Sequence, residues 1–384
     1  MPKSSSPALS KPVSVTPTST WLSRISTVVL PYIQLMRLDR PNGYWYFWYP
    51  HVFGTLWAAI ERHSSLLDLV VVNFILIWGV LFMRGATCTW NDTVDVEFDK
   101  KVSRCRSRPI ARGAVSIFQA NLFTAAQTVA SLAVLMLLPP VCSVYAIPAI
   151  VGWFCYPLAK RVTYYPQVVL GFPMAWGVYV GAASMGADPL HFEPLLDSLV
   201  AIVQHQSASF THMSLDLGGS STRPSVLGAI QGITVDWPIT AFYVANVLWT
   251  LLYELVYSHQ DAAEDSAAGV KNLVLLYERT TSSPHDSEEL ALHGRFGTMP
   301  LLRRLAILQV LFLAIAGAMG NFGFGYSTIS VAGTAAALSV MLSRVRLAQP
   351  ESCAWWFRVG NSKYAGQAMG VGLLLEYAAG FIGS

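Results

Sequence analysis

The stretch "LDLVVVNFILIWGVLFMRGATCTWNDTVDVEFDKKVSRCRSRPIARG", residues 67–113, decides the fold. Residues 67–87 are an apolar run of the length a membrane-crossing helix needs, about 20 residues. Directly after it, Asn91, Asp92, Asp95, Glu97 and Asp99 fall within nine residues, and six bases follow up to Arg112. A helix that is greasy along its length and densely charged at its end marks a boundary between lipid and water.

Composition agrees. The 384 residues are 53% hydrophobic and 12% charged, with mean hydropathy +0.45. A soluble domain carries about 25% charged residues. The chain is therefore read as an all-α, polytopic membrane protein whose helices satisfy their own backbone hydrogen bonds. Nine transmembrane helices, bundled around a central cavity, are predicted at about 42–60, 67–87, 117–138, 140–157, 166–184, 238–257, 303–323, 327–343 and 366–383. The net charge of +3, with no basic stripe bearing aromatics, gives no basis for a nucleic-acid partner. Cys88, Cys105, Cys142, Cys155 and Cys353 are scattered, and point to neither a zinc site nor a disulfide framework.

Of the 25 Lys and Arg, 23 fall on the N-terminal side of this arrangement; only Arg62 and Arg223 fall on the other. One missed span would scramble so lopsided a count. The positive-inside rule places the N-terminus in the cytosol, or in the matrix of a mitochondrion. Residues 1–27 are rich in Ser, Thr and Pro and hold no acid, so a disordered tail is expected through about residue 30. A mitochondrial transit peptide is the alternative, opposed by Pro2, Pro7, Pro12 and Pro17, which break its amphipathic helix. The membrane domain then covers 31–384. Residues 185–237 form an atypical insertion within it, long for a connection between membrane helices.

On a helix, Asn91, Asp95 and Asp99 are four apart and share one face, with Asp92 beside them. These side chains offer only oxygen, the donor that suits a hard cation such as Mg²⁺. Stacked acids repel one another, and a cation removes that penalty. The plainer reading is a solvated loop whose acids and bases pair. A second cluster, "YELVYSHQDAAEDSAAGVKNL" at residues 253–273, sets Glu254, Tyr257, Asp261 and Asp265 on one face. Glu254 lies within an apolar span, where a carboxylate is costly and a functional candidate; the plainer reading is that it snorkels or pairs with a tyrosine. By the charge count both clusters face the same membrane side. Two facing oxygen-rich surfaces are what a diphosphate bridged by Mg²⁺ needs. Arg104, Arg108, Lys160 and Lys271 stand near them as phosphate ligands. For any single one of these bases, positive-inside topology is the plainer explanation. The aromatic run Tyr44 to Tyr49 reads as an interfacial belt, or as π faces that steady a passing cation.

Together these blocks resemble the UbiA superfamily of intramembrane aromatic prenyltransferases, over most of residues 33–380. The N-D-x-x-D-x-x-x-D motif stands here as "NDTVDVEFD", followed by "RPIARG"; the second acidic motif stands as "YELVYSHQDAAEDSAAGVKN", with "YPLAKRVTYYPQVVLG" between them. The family's Asp at position 254 is Glu here, and "MAWG" stands where many relatives carry Asn-Trp-Gly. "FMRGATCTWND", "RPNGYWYFWYP" and "LGFPMAWG" are more similar to fungal meroterpenoid-pathway members. The resemblance implies Mg²⁺-dependent transfer of a prenyl group, farnesyl in that subgroup, from its diphosphate to a phenolic aromatic acid. It implies a metal set of Asn91, Asp92, Asp95, Asp99, Asp261 and Asp265. It further implies that Arg37 holds the acceptor carboxylate, and that Glu254 and Tyr257 orient the head group or take the proton. An endoplasmic-reticulum or other endomembrane location is expected. The rivals are a 4-hydroxybenzoate polyprenyltransferase of the mitochondrial inner membrane, for ubiquinone, and a cation or solute transporter. Transporters bind near the bilayer midplane, whereas these clusters lie at one interface.

Overall fold

The computed structural model describes residues 25–198, 200–201, 233–281 and 297–382. Most of the expected N-terminal tail and the middle of the 185–237 insertion lie outside the described residues.

Nine helical passes follow one another among the described residues, each over a predicted span. A short helix, α1 (Leu30–Leu35), precedes the first pass, α2 (Tyr44–Glu61). The second is α3 (Leu66–Val94), followed by the one-turn α4 (Val96–Asp99). The third and fourth are α5 (Ile117–Leu135) and α6 (Val141–Val162). The fifth is broken into α7 (Pro166–Ala175) and α8 (Gly177–Ser184). The sixth, α9 (Trp237–Ser258), leads into two short helices, α10 (Ala262–Ala268) and α11 (Leu273–Thr281). The seventh is α12 (Thr298–Met319). The eighth is a π-helical stretch (Tyr326–Gly333) continued by α13 (Thr334–Arg344). The ninth runs from α14 (Pro350–Trp355) through a π-helical stretch (Trp356–Gly366) to α15 (Gln367–Ile382). Six of these helices are long and apolar enough to cross a membrane unbroken.

Local sequence explains where the helices start. The Ser65 hydroxyl caps α3 by accepting the Asp68 N–H at 3.1 Å, and Ser116 with Gln119 forms a capping box on α5. Pro148 and Pro157 sit inside α6, as membrane helices tolerate when neighbours re-satisfy the backbone. The break at Trp176 is held by its indole N–H, which donates to the Tyr145 carbonyl at 2.7 Å.

In lipid, helices associate through close packing and hydrogen bonds rather than hydrophobicity. The first and fifth passes approach at glycines: a Cβ on Gly54 would lie 1.9 Å from the Val178 carbonyl oxygen, and one on Gly181 would lie 2.1 Å from that of His51. Polar side chains fasten other pairs. The Asn73 amide donates to Thr55 Oγ1 at 2.9 Å, joining the first and second passes. The Tyr179 hydroxyl donates to Thr240 Oγ1 at 2.9 Å, joining the fifth and sixth. The described ends of the insertion are pinned together, with the Asp236 N–H donating to the Pro189 carbonyl at 2.9 Å. Asp188 closes the turn before it by accepting the Tyr145 hydroxyl at 2.7 Å and the Phe192 N–H at 2.8 Å.

Among the first five passes lies an apolar chamber. Phe47, Met83 and Trp153 line it, and Val134, Ala146 and Ala149 line it further on. Phe47 and Trp153 stack at 4.7 Å.

The close approach at Gly54 makes a direct prediction. Gly54→Val forces the first and fifth passes apart and destabilises the detergent-solubilised protein by about 1–3 kcal/mol. Gly79→Ala, whose added methyl meets only Val134 at 3.4 Å, leaves the unfolding midpoint unchanged. Equal midpoints for both variants in a thermal melt would refute the packing account.

Candidate functional site

The first acidic cluster sits where α3 ends. The single continuous helix expected through Asp99 is interrupted: α3 stops at Val94 and the chain turns at Asp95 (φ −86°, ψ 5°) into α4. The hydrogen bonds Asp95 N–H to the Asn91 carbonyl and Asp99 N–H to the Asp95 carbonyl, both 2.9 Å, keep the acids stacked across the break. Asp92, Asp95 and Asp99 are buried, at 0%, 3% and 5% exposure.

Bases hold them there. Arg37 Nη2 donates to Asp92 Oδ1 at 2.5 Å. Arg108 Nη1 donates to the same oxygen at 3.0 Å and to the two Asp99 oxygens at 3.0 and 2.8 Å. Lys160 Nζ donates to Asp95 Oδ2 at 2.7 Å.

The second cluster meets the first through the chain that follows α4. Arg104 grips Asp261 with a forked pair, its Nε 2.9 Å from both carboxylate oxygens and its Nη2 also bonded. Ser103 donates its N–H and its hydroxyl to Glu264 at 2.5 and 2.6 Å. Asp265 accepts from the Asn272 amide at 3.1 Å. Lys160 stands between the clusters: it pairs with Asp95, and its charge acts on Asp99, Glu254 and Asp265.

The bases do not fully offset the acids. Burial pushes the Asp99 carboxyl up to about 6; Arg108 and Lys160 oppose this, and Asp92 and Asp95 add to it. Burial likewise raises Asp265 to about 6, with Asp261 adding and Lys160 and Arg104 opposing. Asn91 Oδ1, Asp92 Oδ2 and Asp95 Oδ1 are buried oxygens with no hydrogen-bond partner. Such orphans are costly, and an all-oxygen donor set is what a hard cation takes. Among the described residues no three acid, His or Cys side chains already converge tightly enough to hold a metal by themselves. The donors therefore fit a cation that keeps part of its shell for a ligand's own oxygens.

The remaining candidates divide. Tyr257 lies under the Arg104 guanidinium, 5.1 Å from ring centroid to Cζ, and packs on Phe357 at 4.4 Å. Lys271 adjoins the site through its backbone, its N–H donating to the Lys160 carbonyl at 3.1 Å. Its ammonium turns to the Val162 carbonyl at 3.4 Å and to the Tyr164 ring, away from the acids. Arg37, read as an anchor for an acceptor, is already bonded to Asp92 through one of its nitrogens. The aromatic run is split between its two readings. Trp45 is exposed, whereas Tyr46 is buried against Tyr253 at 4.0 Å and Phe357 at 5.1 Å, in a wall of rings beside Glu254.

Sequence reasoning missed Arg84, which entered only as one more positive charge. It is 4% exposed within α3. Its Nη1 donates to the Met36 and Arg37 carbonyls at 3.0 and 3.2 Å, and its Nη2 donates to the Arg40 carbonyl at 3.2 Å. Arg37 has φ +57°, a left-handed conformation uncommon outside glycine. Arg84 thus holds the turn that aims Arg37 at Asp92. An arginine inside an apolar span was the available signal.

Residues 47–364 match the UbiA prenyltransferase family. The chain is 29% identical over 351 residues to the mitochondrial 4-hydroxybenzoate polyprenyltransferase of Schizosaccharomyces pombe, covering 91% of this chain and 80% of that one. It is 30% identical over 327 residues to prenyltransferase stbC of Stachybotrys bisbyi, covering 85% and 81%. Its fold is similar to that of a UbiA homolog from Archaeoglobus fulgidus bound to GPP and Mg²⁺, with TM-score 0.56 and 17% identity over 92% of this chain and 98% of that one.

The Arg84 clamp is testable without an activity assay. Arg84→Lys keeps the charge but has one nitrogen where the clamp needs two. It should speed hydrogen–deuterium exchange in the peptide spanning residues 36–43 by about tenfold, as loss of a charged hydrogen bond implies. Unchanged exchange would show that the turn holds itself.

Proposed function

The chain belongs to the UbiA prenyltransferase family, and from that premise we propose that it transfers a farnesyl group from its diphosphate to a phenolic aromatic acid, with Mg²⁺ as cofactor, in meroterpenoid biosynthesis. The chain is an integral multi-pass prenyltransferase, which sets the transporter reading aside. One observation supports the metal- and diphosphate-dependent step: a buried acidic cluster is joined to a half-buried one through Arg104 and Ser103 and still leaves carboxylate oxygens unpartnered; the farnesyl donor and the phenolic acid rest on the resemblance of the motifs to fungal meroterpenoid-pathway members.

Asn91, Asp92, Asp95 and Asp99 from one side, with Asp261 and Asp265 from the other, would hold the metal. When bound, Mg²⁺ neutralises the charge that gathers on the departing diphosphate. Arg104, Arg108 and Lys160 turn from their carboxylates to phosphate oxygens, with Lys271 at the rim. The allylic C–O bond breaks, and its electron pair leaves with the diphosphate oxygen. The faces of Tyr46, Tyr253 and Phe357 flank the resulting cation and exclude water. Tyr257 supports Arg104, so it orients the head group. The phenol ring attacks, and Glu254 takes the ring proton as aromaticity returns. Arg37 retains donors beyond the one given to Asp92, and these take the acceptor carboxylate.

The isoprenoid tail lies in the apolar chamber. Trp153 lines that chamber seven residues before Lys160 on α6, about 10 Å along the helix axis. The extent of the Schizosaccharomyces pombe match favours a second reading, a longer polyprenyl donor and 4-hydroxybenzoate in a mitochondrial membrane. Microsomes supplied with farnesyl or long polyprenyl diphosphate, each with a panel of phenolic acids, separate the two by the mass of the product. An endomembrane location accompanies the first reading, and import into mitochondria would favour the second.

Asp95→Asn and Asp261→Asn should each cut turnover by about 100-fold or more, the scale of losing one preorganised electrostatic group, while the protein still inserts. Chelation of divalent cations should abolish product. Full activity in both variants would remove the metal and diphosphate roles from these positions. Chamber volume gives a separate test. Ala146→Phe and Ala149→Phe, which fill it from α6, should move donor preference from farnesyl toward geranyl diphosphate. An unchanged preference would place the tail elsewhere.

A further inference from the structure

The eighth and ninth passes leave a groove on their outer side that the chemistry above does not use. One wall is the Tyr326–Gly333 π-helical stretch with α13; the other is the Trp356–Gly366 π-helical stretch with α15. The groove's floor is small and apolar, with the half-buried Ala337 and Ala368. Its mouth carries Arg344 and Lys363, with Trp355 and Tyr364 beside them. Arg344 closes α13 and Lys363 precedes α15, so both lie at the end of the bundle where the chain concentrates its positive charge.

Three features define the occupant. First, among the described residues no acid lies within ion-pair distance of Arg344 or Lys363. Between residues 344 and 370, Glu351 is the only acid, against Arg344, Arg346, Arg358 and Lys363. Second, Trp355 and Tyr364 are 42% and 50% exposed, and such amphipathic rings settle at the level of lipid headgroups. Third, both walls are π-helical, a geometry frequent at functional sites. A ligand that matches all three has an anionic head, an apolar tail and access from the bilayer.

We propose that this groove binds an anionic glycerophospholipid, with its phosphate on Arg344 and Lys363 and one acyl chain along the Ala337–Ala368 floor. Basic pockets between membrane helices on the positive side recognise acidic headgroups in this way. Such a lipid adds charge pairing to two passes that are already joined by the Ser330 hydroxyl donating to the Met369 carbonyl at 2.8 Å.

The test uses the full-length protein in detergent, titrated with phosphatidic acid or phosphatidylcholine and read by native mass spectrometry. Phosphatidic acid should be retained one to one at concentrations where phosphatidylcholine is not. Arg344→Gln and Lys363→Gln should each weaken retention about fivefold, and together about 25-fold. Ala337→Trp, which fills the floor and leaves the charge intact, should weaken it too. Arg358→Gln, on the same stretch but outside the groove, should not. Equal retention of phosphatidylcholine, the same loss in Arg358→Gln, or no loss in Ala337→Trp overturns the assignment. So does displacement of the lipid by farnesyl diphosphate, which would make the groove an entrance for the donor.

Discussion

Arg108 holding Asp92 and Asp99 together is the contact on which the site depends. One guanidinium nitrogen, buried at the lipid–water boundary, serves two carboxylates seven residues apart. Burying either charge alone costs several kcal/mol, and breaking such a pair costs about 3–5 kcal/mol because one charge is left stranded. The pairing therefore fixes where the chain after α4 must lie. With that chain in place, Val102 and Cys105 pack on Ala268 of α10, and Ile110 and Val115 pack on Leu35 of α1. Arg104 then reaches Asp261, and Ser103 reaches Glu264. The second cluster is drawn to the first by contacts from the basic segment and by Lys160 of α6, which pairs with Asp95 and accepts the Lys271 N–H on its carbonyl.

How much of this the sequence carried depended on the kind of interaction. The passes were legible because a bilayer imposes a length and a hydropathy on every spanning helix, and the lopsided placement of Lys and Arg confirmed their number. The acidic faces were legible because four-residue spacing repeats along a helix. What was not legible is pairing across the chain. Arg104 and Asp261 are 157 residues apart, and no periodicity links them. Arg84 was missed for a related reason. Its partners are the carbonyls of Met36, Arg37 and Arg40, and backbone groups leave no mark in side-chain patterns. The break at Asp95 was equally silent, since no Gly or Pro stands near it to mark it.

The inference about Arg37 shows the same limit from another side. The resemblance to a family assigned it to an acceptor, and the residues alone could not say that Asp92 would claim it first. Its left-handed backbone makes sense only once the Arg84 clamp is known. Strain at a single residue persists when the surroundings over-determine it. Here the surroundings are one buried arginine and one buried aspartate, pulling on the backbone and on the side chain respectively.

The charge balance of the cluster suggests how a site so heavily paired can also accept a ligand. Asp92, Asp95, Asp99, Asp261 and Asp265 face Arg37, Arg104, Arg108 and Lys160, leaving the acids in slight excess. Burial raises Asp99 and Asp265 to about 6, and the neighbouring acids add to the rise. A hard cation and a diphosphate bring charges of opposite sign that nearly cancel. Under the proposed function, their arrival would ask the cluster to exchange partners rather than to bury new net charge: carboxylates would pass from base to metal, and bases from carboxylate to phosphate. The ion pairs seen here occupy the positions those contacts would take. They keep the acids from repelling one another apart while leaving the oxygens of Asn91, Asp92 and Asp95 turned inward and unspent. A site whose acids were fully satisfied would be more stable and would have nothing left with which to bind.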